Sequence, residues 1–189
     1  MMNGMIALLG SGEYLQVMEP VDRFLIESLE LDERKARVIC LATAAGREGE
    51  GSVSRWSRMG VDHFERLGAR TSALAIIDKD SANDPQYEAA LESADIIYFS
   101  GGDPAYLYQT LNGSRAWDAA QRAWARGAIF AGCSAGAMIL GQNMPNLRMA
   151  GLNSNPAFGL LPARYIFPHY DAMPVVFKPM VMALRRTLK

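Results

Sequence analysis

The residues with the clearest chemical potential lie in one short segment, Gly132-Cys-Ser-Ala-Gly136. The segment has Gly-x-Ser-x-Gly spacing, in which a tight turn between a strand and a helix presents the central serine as a nucleophile. An apolar run over residues 127–131 precedes the turn and another over residues 137–140 follows it, which predicts that strand and helix. The glycines lack a Cβ and allow strand and helix to approach closely. The pattern indicates a hydrolase with Ser134 as nucleophile.

The same segment allows two other interpretations. Ser134 could cap an ordinary helix, because serine is common at helix N-termini. Cys133 could be the nucleophile of an amidotransferase-like enzyme. However, Cys133 stands one position before the centre of the turn, and a free cysteine there usually packs in the core. The turn geometry therefore favours Ser134 over Cys133.

A serine nucleophile needs a general base, and the chain contains two histidines. His63 falls inside a predicted helix that carries several charges, which indicates a role on the surface or in helix packing. His169 follows Pro168 and a short apolar run over residues 164–167, in the same position as the other polar strand ends. We therefore predict that His169 is the base.

A glycine pair, Gly101-Gly102, follows another predicted strand. Backbone N–H groups at glycines are open to a substrate, so the N–H of Gly102 and that of Ala135 could together form an oxyanion hole. Asp103 could at the same time cap a helix that begins at Pro104.

The elements that must position these residues alternate along the chain. Strand-like runs occupy residues 5–9, 37–42, 71–77, 95–99 and 128–131, and helical patterns occupy residues 20–31, 53–67, 85–93, 104–111 and 115–125. This order predicts an α/β fold, a three-layer α/β/α sandwich around a mostly parallel, flavodoxin-like sheet. Ligands bind such sheets beyond the carboxyl ends of the strands. Residues 143–162 are predicted as mostly loops, residues 164–167 as a short strand and residues 174–188 as a terminal helix.

Bulk composition narrows the function classes. A chain of 189 residues is predicted to form one domain over residues 1–189, and a net charge of −1 gives no electrostatic case for nucleic acid or an anionic membrane. Cys40 and Cys133 lie in apolar runs, as expected of reduced cysteines in a cytoplasmic protein. Two histidines and no Cys/His cluster predict no metal site. Leu15 stands where a dinucleotide-binding motif would need its third glycine, so no cofactor is expected.

Three segments together resemble the dipeptidase E / cyanophycinase family of serine peptidases. They are Ser100-Gly-Gly-Asp-Pro-Ala-Tyr-Leu107, Ala131-Gly-Cys-Ser-Ala-Gly-Ala-Met138, and Gly159-Leu-Leu-Pro-Ala followed by Pro168-His169. The resemblance implies a fold similar to class I glutamine amidotransferases. Serine replaces cysteine at the nucleophile elbow, which is the tight turn over residues 132–136. The resemblance also implies Ser134 as nucleophile, His169 as base, and Gly102 with Ala135 at the oxyanion hole. The implied reaction is hydrolysis of peptide bonds next to aspartate, in small peptides or β-linked aspartyl polymers.

The resemblance leaves the third member of the triad open. Cyanophycinase-like members carry an acid in a further strand beyond the histidine, whereas this sequence ends with the predicted helix. Dipeptidase E uses an aspartate shortly after the elbow, where Asn143 stands here. Asp171 and Glu13 are the other local candidates. A missing edge strand would also leave apolar surface that a homodimer could cover.

Two questions follow for function. Without the acid, the chain could be a non-catalytic binding domain that keeps the pocket. A preference for aspartate would require a cation near the site, and the candidates are Arg47, Arg115, Arg148 and Arg164.

Overall fold

A computed structural model describes residues 4–145, 154–162 and 165–172. The main sheet contains β1 (Ile6–Leu9), β2 (Arg37–Leu41), β3 (Arg70–Ala73), β4 (Ile96–Phe99) and β5 (Ile129–Cys133). These five strands are parallel and lie in the order β1-β5-β4-β2-β3. The parallel sheet, flanked by helices, confirms the α/β fold predicted from the alternating pattern.

Six α-helices accompany the sheet within the described residues: α1 (Glu19–Glu27), α2 (Glu50–Arg66), α3 (Glu88–Glu92), α4 (Pro104–Leu111), α5 (Arg115–Ala125) and α6 (Ala135–Met138). Side-chain caps fix two of the helix starts. Asp103 accepts a hydrogen bond from the Tyr106 N–H at the start of α4, and Ser114 accepts one from the Trp117 N–H at the start of α5. None of the described helices combines the length and the hydropathy needed to cross a membrane.

Each face of the sheet carries its own hydrophobic core. Successive side chains of a strand point to opposite faces, and all four residues of β4 are buried. Ile97 and Phe99 join a cluster that includes side chains of α4 and α5. Ile96 and Tyr98 join a second cluster with residues of α1 and α2. The sheet is therefore the middle layer of three.

Several predicted boundaries were wrong. The first helix, predicted to reach residue 31, ends at Glu27. The third strand, predicted to reach residue 77, ends at Ala73. The segment predicted as mostly loops also contains two short strands, β6 (Asn143–Pro145) and β7 (Ser154–Pro156), which pair antiparallel. Three-residue strands are too short to show a period. Residues 165–167 are not a strand, and the predicted terminal helix lies outside the described residues.

Candidate active site

Ser134 occupies a strained turn between β5 and α6. Its backbone has φ 51° and ψ −111°, a conformation that costs free energy for a residue with a Cβ. The two flanking glycines make this turn possible. A Cβ at Gly132 would lie 2.4 Å from the Gly136 carbonyl oxygen, and a Cβ at Gly136 would lie 2.0 Å from the Phe99 carbonyl oxygen. The Ser134 hydroxyl makes no capping bond to α6, so the interpretation of Ser134 as a simple helix cap is not supported.

The structure brings Ser134 and His169 together. His169 Nε2 lies 2.9 Å from Ser134 Oγ, within the range needed for proton transfer. The backbone N–H of His169 donates to the Gly10 carbonyl oxygen at 3.2 Å, which ties the histidine to the loop after β1. His169 itself adopts φ 52°. The serine at the end of β5 and the histidine near the end of β1 therefore meet at the carboxyl edge of the sheet.

The loop after β4 leaves one backbone donor free. The Gly101 N–H donates to the carboxyl group of Glu13, at 2.9 and 3.1 Å from its two oxygens. The Asp103 N–H donates to the Ala44 carbonyl oxygen at 2.9 Å. Between them, the Gly102 N–H has no acceptor among the described residues. Such an unoccupied donor is what an oxyanion hole requires.

Both predicted oxyanion donors lie beside the nucleophile. Ala135 follows Ser134 directly, and its N–H has no acceptor within the described part of the chain. A Cβ at Gly101 would lie 3.2 Å from Ser134 Cβ, so the glycine loop packs against the serine. At Gly102, φ is 139°, and a Cβ would lie 2.5 Å from the Ala44 carbonyl oxygen. Glycine at this position therefore satisfies both the backbone conformation and the packing.

None of the three candidates for the third triad position forms a hydrogen bond or ion pair with the His169 ring in the described residues. Glu13 bonds the Gly101 N–H instead. Asn143 lies in β6, and Asp171 is exposed in a turn. Among the residues that the structure describes, no carboxylate lies within hydrogen-bond distance of His169 Nδ1.

Cys133 is a packing residue in this site. Its side chain is fully buried in the core between the sheet and the first two helices. Burial, together with the neighbouring Glu13, raises the pKa of the Cys133 thiol to about 12. A thiol with so high a pKa forms very little of the thiolate that acts as nucleophile. The environment of Cys133 therefore disfavours the amidotransferase-like alternative.

One predicted cation lies at the rim of the site. Arg47 belongs to the 3-10 turn Thr43–Glu48 after β2, and its Nη1 donates to Asp103 Oδ2 at 3.0 Å. The guanidinium also lies over the Tyr106 ring, 4.9 Å from its centroid. By contrast, Arg115 pairs with Glu88 of α3. Arg148 and Arg164 lie outside the described residues.

Sequence reasoning missed the role of the loop after β1. Tyr14 is buried, and its hydroxyl lies 2.7 Å from Ser100 Oγ at the end of β4. Positive φ values at Gly12 (81°) and Tyr14 (60°) turn this loop inward. Gly10-Ser-Gly12 was weighed only as the start of a dinucleotide-binding motif, and no local pattern could show that Glu13 and Tyr14 fold back onto the end of β4.

The chain is similar to known peptidases over most of its length. The chain matches the model of Peptidase family S51 over residues 6–186. It is similar to a peptidase from an acI-B1 Actinobacterium, with 34% identity, a TM-score of 0.85, and coverage of 95% of this chain and 75% of that chain. It also shares the fold of a peptidase E-type protein from Listeria monocytogenes EGD-e, with 21% identity, a TM-score of 0.63, and coverage of 98% and 88%. No curated protein matched the chain.

Proposed function

Because the chain belongs to peptidase family S51, a family of serine peptidases, we propose that Ser134 and His169 hydrolyse peptide bonds next to aspartate. The substrates are small peptides, such as dipeptides, or β-aspartyl polymers. The observation that carries the proposal is the 2.9 Å contact between Ser134 Oγ and His169 Nε2 at a strained strand-to-helix turn. A nucleophile and a base in hydrogen-bond contact are the minimum for acyl transfer.

Acylation uses the two residues in turn. Ser134 Oγ attacks the carbonyl carbon of the scissile bond and transfers its proton to His169 Nε2. The carbonyl oxygen becomes an oxyanion, which accepts hydrogen bonds from the N–H groups of Gly102 and Ala135. The C–N bond then breaks, and His169 returns the proton to the leaving amine. An ester between Ser134 and the acyl half of the substrate remains.

Deacylation repeats the chemistry with water as the nucleophile. His169 takes a proton from the water, whose oxygen bonds to the ester carbon, and the oxyanion hole is used a second time. The C–O bond to Ser134 breaks, the serine recovers its proton, and the acid product leaves. Loss of one oxyanion donor typically raises the barrier by about 3 kcal/mol.

Arg47 supports the proposed preference for aspartate. It stands at the carboxyl edge of the sheet, bonded to Asp103, which directly follows the oxyanion donor Gly102. Its side chain is 57% exposed, so most of its five N–H donors remain available. A guanidinium is well suited to binding a carboxylate through paired hydrogen bonds. We assign Arg47 to the aspartate side chain of the substrate.

The proposed nucleophile is tested by intact mass after incubation with a fluorophosphonate. We expect one adduct on the native protein and on Ser11→Ala, a matched variant of an exposed strand-end serine, and none on Ser134→Ala. His169→Ala should slow labelling by at least a hundredfold, since the base is lost. No adduct on folded native protein would overturn the proposal and favour a non-catalytic domain that keeps the pocket.

The substrate class is tested separately on protein that labels. We expect cleavage of Asp-Xaa dipeptides or β-aspartyl peptides, and at least tenfold slower cleavage of the matched Asn-Xaa peptides. The two differ only in the charge of one side chain, so the ratio measures recognition of the carboxylate. Equal rates on the aspartyl and asparaginyl peptides would remove the aspartate preference and leave the hydrolase chemistry intact.

A further inference from the structure

Glu13 is a buried acid that the proposed reaction does not use. Its side chain lies in the loop after β1 and is 8% exposed. Among the described residues, no lysine, arginine or histidine lies within ion-pair distance of its carboxyl group. Burial of a carboxyl group without a cation costs free energy. The hydrogen bonds of Glu13 indicate a structural role that offsets this cost.

The backbone contact of Glu13 is with the glycine loop after β4, residues 100–103. Both carboxyl oxygens accept from the Gly101 N–H, at 2.9 and 3.1 Å. On the other side of Gly102, the Asp103 N–H is held by the Ala44 carbonyl oxygen. The amide between these two anchored groups is the free Gly102 N–H. The loop is thus fixed on both sides of its one available donor.

We propose that Glu13 is a positioning residue for the oxyanion hole, which holds the Gly101 amide and thereby keeps the Gly102 N–H aimed at the carbonyl oxygen of the substrate. The inference rests on the proposed role of Ser134 as nucleophile. It does not depend on which peptide is cleaved.

The glycine pair cannot fix its own conformation. A Cβ at Gly101 would lie 2.8 Å from Glu13 Oε2 and 3.2 Å from Ser134 Cβ, so a side chain has no room there. Two glycines in sequence have the widest choice of backbone conformations of any dipeptide. An oxyanion donor contributes to catalysis only when it is held in place before the reaction. The anchor must therefore come from elsewhere in the chain, and Glu13 supplies it.

The environment of Glu13 also suits a site where negative charge develops. Burial raises the pKa of Glu13, against the opposing effect of hydrogen bonds from the Gly101 N–H, Cys133 and Ser100. A protonated carboxyl group still accepts from the Gly101 N–H through its carbonyl oxygen. The raised pKa favours this neutral form, which would place no negative charge beside the oxyanion, whereas a carboxylate would oppose it.

The test is the rate of fluorophosphonate labelling, which needs no knowledge of the substrate. In this reaction Ser134 Oγ bonds to phosphorus, fluoride leaves with the P–F electron pair, and His169 accepts the serine proton. The phosphoryl oxygen takes the place of the oxyanion. Saturation kinetics separate the maximal rate of labelling from the affinity for the probe, and thermal melting reports folding of each variant.

Three variants distinguish positioning from general support of the fold. Glu13→Ala removes the acceptor of the Gly101 N–H, and we expect the maximal labelling rate to fall 30- to 100-fold with less than a threefold change in probe affinity. Glu13→Gln keeps a carbonyl oxygen, and its rate should recover to within about fivefold of the native protein. Tyr14→Phe is the matched control, because it removes the neighbouring buried bond to Ser100 and leaves the Gly101 amide bonded.

The outcomes separate the two proposals. Native protein that does not label at Ser134 contradicts the proposed function. Native protein that labels, with Glu13→Ala labelling as fast, contradicts the positioning role. A Glu13→Gln variant as slow as Glu13→Ala while melting like the native protein also overturns it, because the acceptor alone would then be insufficient. Tyr14→Phe slowing labelling as much as Glu13→Ala would reduce Glu13 to a packing residue.

Discussion

Both residues of the proposed catalytic pair adopt unusual backbone conformations. Ser134 has φ 51° and His169 has φ 52°, and each such residue costs about 1–3 kcal/mol. Tight packing at Gly132 and Gly136 enforces the first, and the bond from His169 N–H to the Gly10 carbonyl oxygen supports the second. These backbone conformations bring the Ser134 and His169 side chains, from distant segments of the chain, into contact at the edge of the sheet.

Arg47 offers a test of substrate recognition by a single side chain. We expect Arg47→Ala to lower kcat/KM for an aspartyl peptide by about 10- to 100-fold, the loss of a charge-assisted hydrogen bond worth about 1.5–3 kcal/mol. Arg115→Ala is a closely matched control, since the two guanidiniums are 57% and 59% exposed and each pairs with one carboxylate. Steady-state kinetics on aspartyl and asparaginyl peptides measure the effect.

The asparaginyl peptide distinguishes loss of carboxylate binding from an indirect effect of Arg47→Ala on the site. It lacks the carboxylate, so Arg47→Ala should change its kcat/KM by less than about threefold. A similar loss on both peptides would show that Arg47 supports the Asp103 turn and does not bind the substrate side chain.

Sequence patterns predicted which residues belong to the site better than they predicted the hydrogen-bond partners of buried side chains. Ser134 and His169 were predicted from a local motif and from the need for a base, and the structure brings them together. Glu13 was a candidate for the triad, yet it bonds an amide 88 residues away. His63 was assigned to the surface or to helix packing, and it is fully buried with its Nε2 2.8 Å from Asp22 Oδ2. Pairings across such distances leave no periodic signal in one sequence.

Among the elements, those with capping residues were the easiest to predict. The bounds of α4 and α5 were predicted correctly, and Asp103 and Ser114 cap their first turns. β5 was predicted to end before Gly132, since glycine favours turns, but Gly132 and Cys133 continue the ladder with β1. Here pairing with a neighbouring strand overrides local preference.

The junction of β5 and α6 depends on glycine at the element scale. In Gly136→Ala, the new Cβ would lie 2.0 Å from the Phe99 carbonyl oxygen, which is backbone and cannot turn away. We expect the free energy of unfolding to fall by about 3 kcal/mol and fluorophosphonate labelling to be lost. Urea unfolding and intact mass measure the two effects.

Gly51 provides the opposite case. It lies in α2, where nothing stands within 4 Å of a new Cβ. Gly51→Ala should therefore raise the free energy of unfolding by about 0.4–1 kcal/mol and leave labelling unchanged.

A Gly136→Ala protein as stable and as reactive as the native one would contradict the close packing of strand and helix at the elbow.

At the scale of the whole molecule, the two edges of the sheet differ in role. The catalytic candidates gather at the carboxyl edge. The opposite edge contains an open cavity of about 880 Å³, which is lined by four arginines, Arg34, Arg37, Arg122 and Arg126. Arg34 bonds both carboxylate oxygens of Asp95, and Arg122 bonds Glu92. These pairs connect the chain before β2, α3, the start of β4 and α5, as expected of an edge that contributes to stability.

Asp95 accepts hydrogen bonds from Arg34 and from the Arg37 N–H at this edge. Its carboxylate makes the free energy of unfolding depend on pH. Burial acts to raise the pKa of Asp95, but the hydrogen bonds from Arg34 and from the Arg37 N–H outweigh it, so the pKa is lowered. A lowered pKa in the folded state stabilises the fold above the carboxyl pKa of the unfolded chain, about 3.9, and this contribution is lost as pH falls through the folded value. Asp95→Asn removes the charge and replaces one of the two acceptor oxygens with an NH2 group, which cannot accept.

We expect Asp95→Asn to reduce the free energy of unfolding by about 1–2 kcal/mol at pH 7, a modest value because the Arg34 side chain is half exposed. The difference from the native protein should persist at pH 5 and shrink as pH falls below about 4. Urea unfolding across this range measures it, with the exposed Asp32→Asn as control. Fluorophosphonate labelling at pH 7 should be unaffected, because Asp95 lies at the opposite edge from Ser134. A difference that grew on acidification would contradict the sign of the pKa shift, and slower labelling would contradict the separation of the two edges.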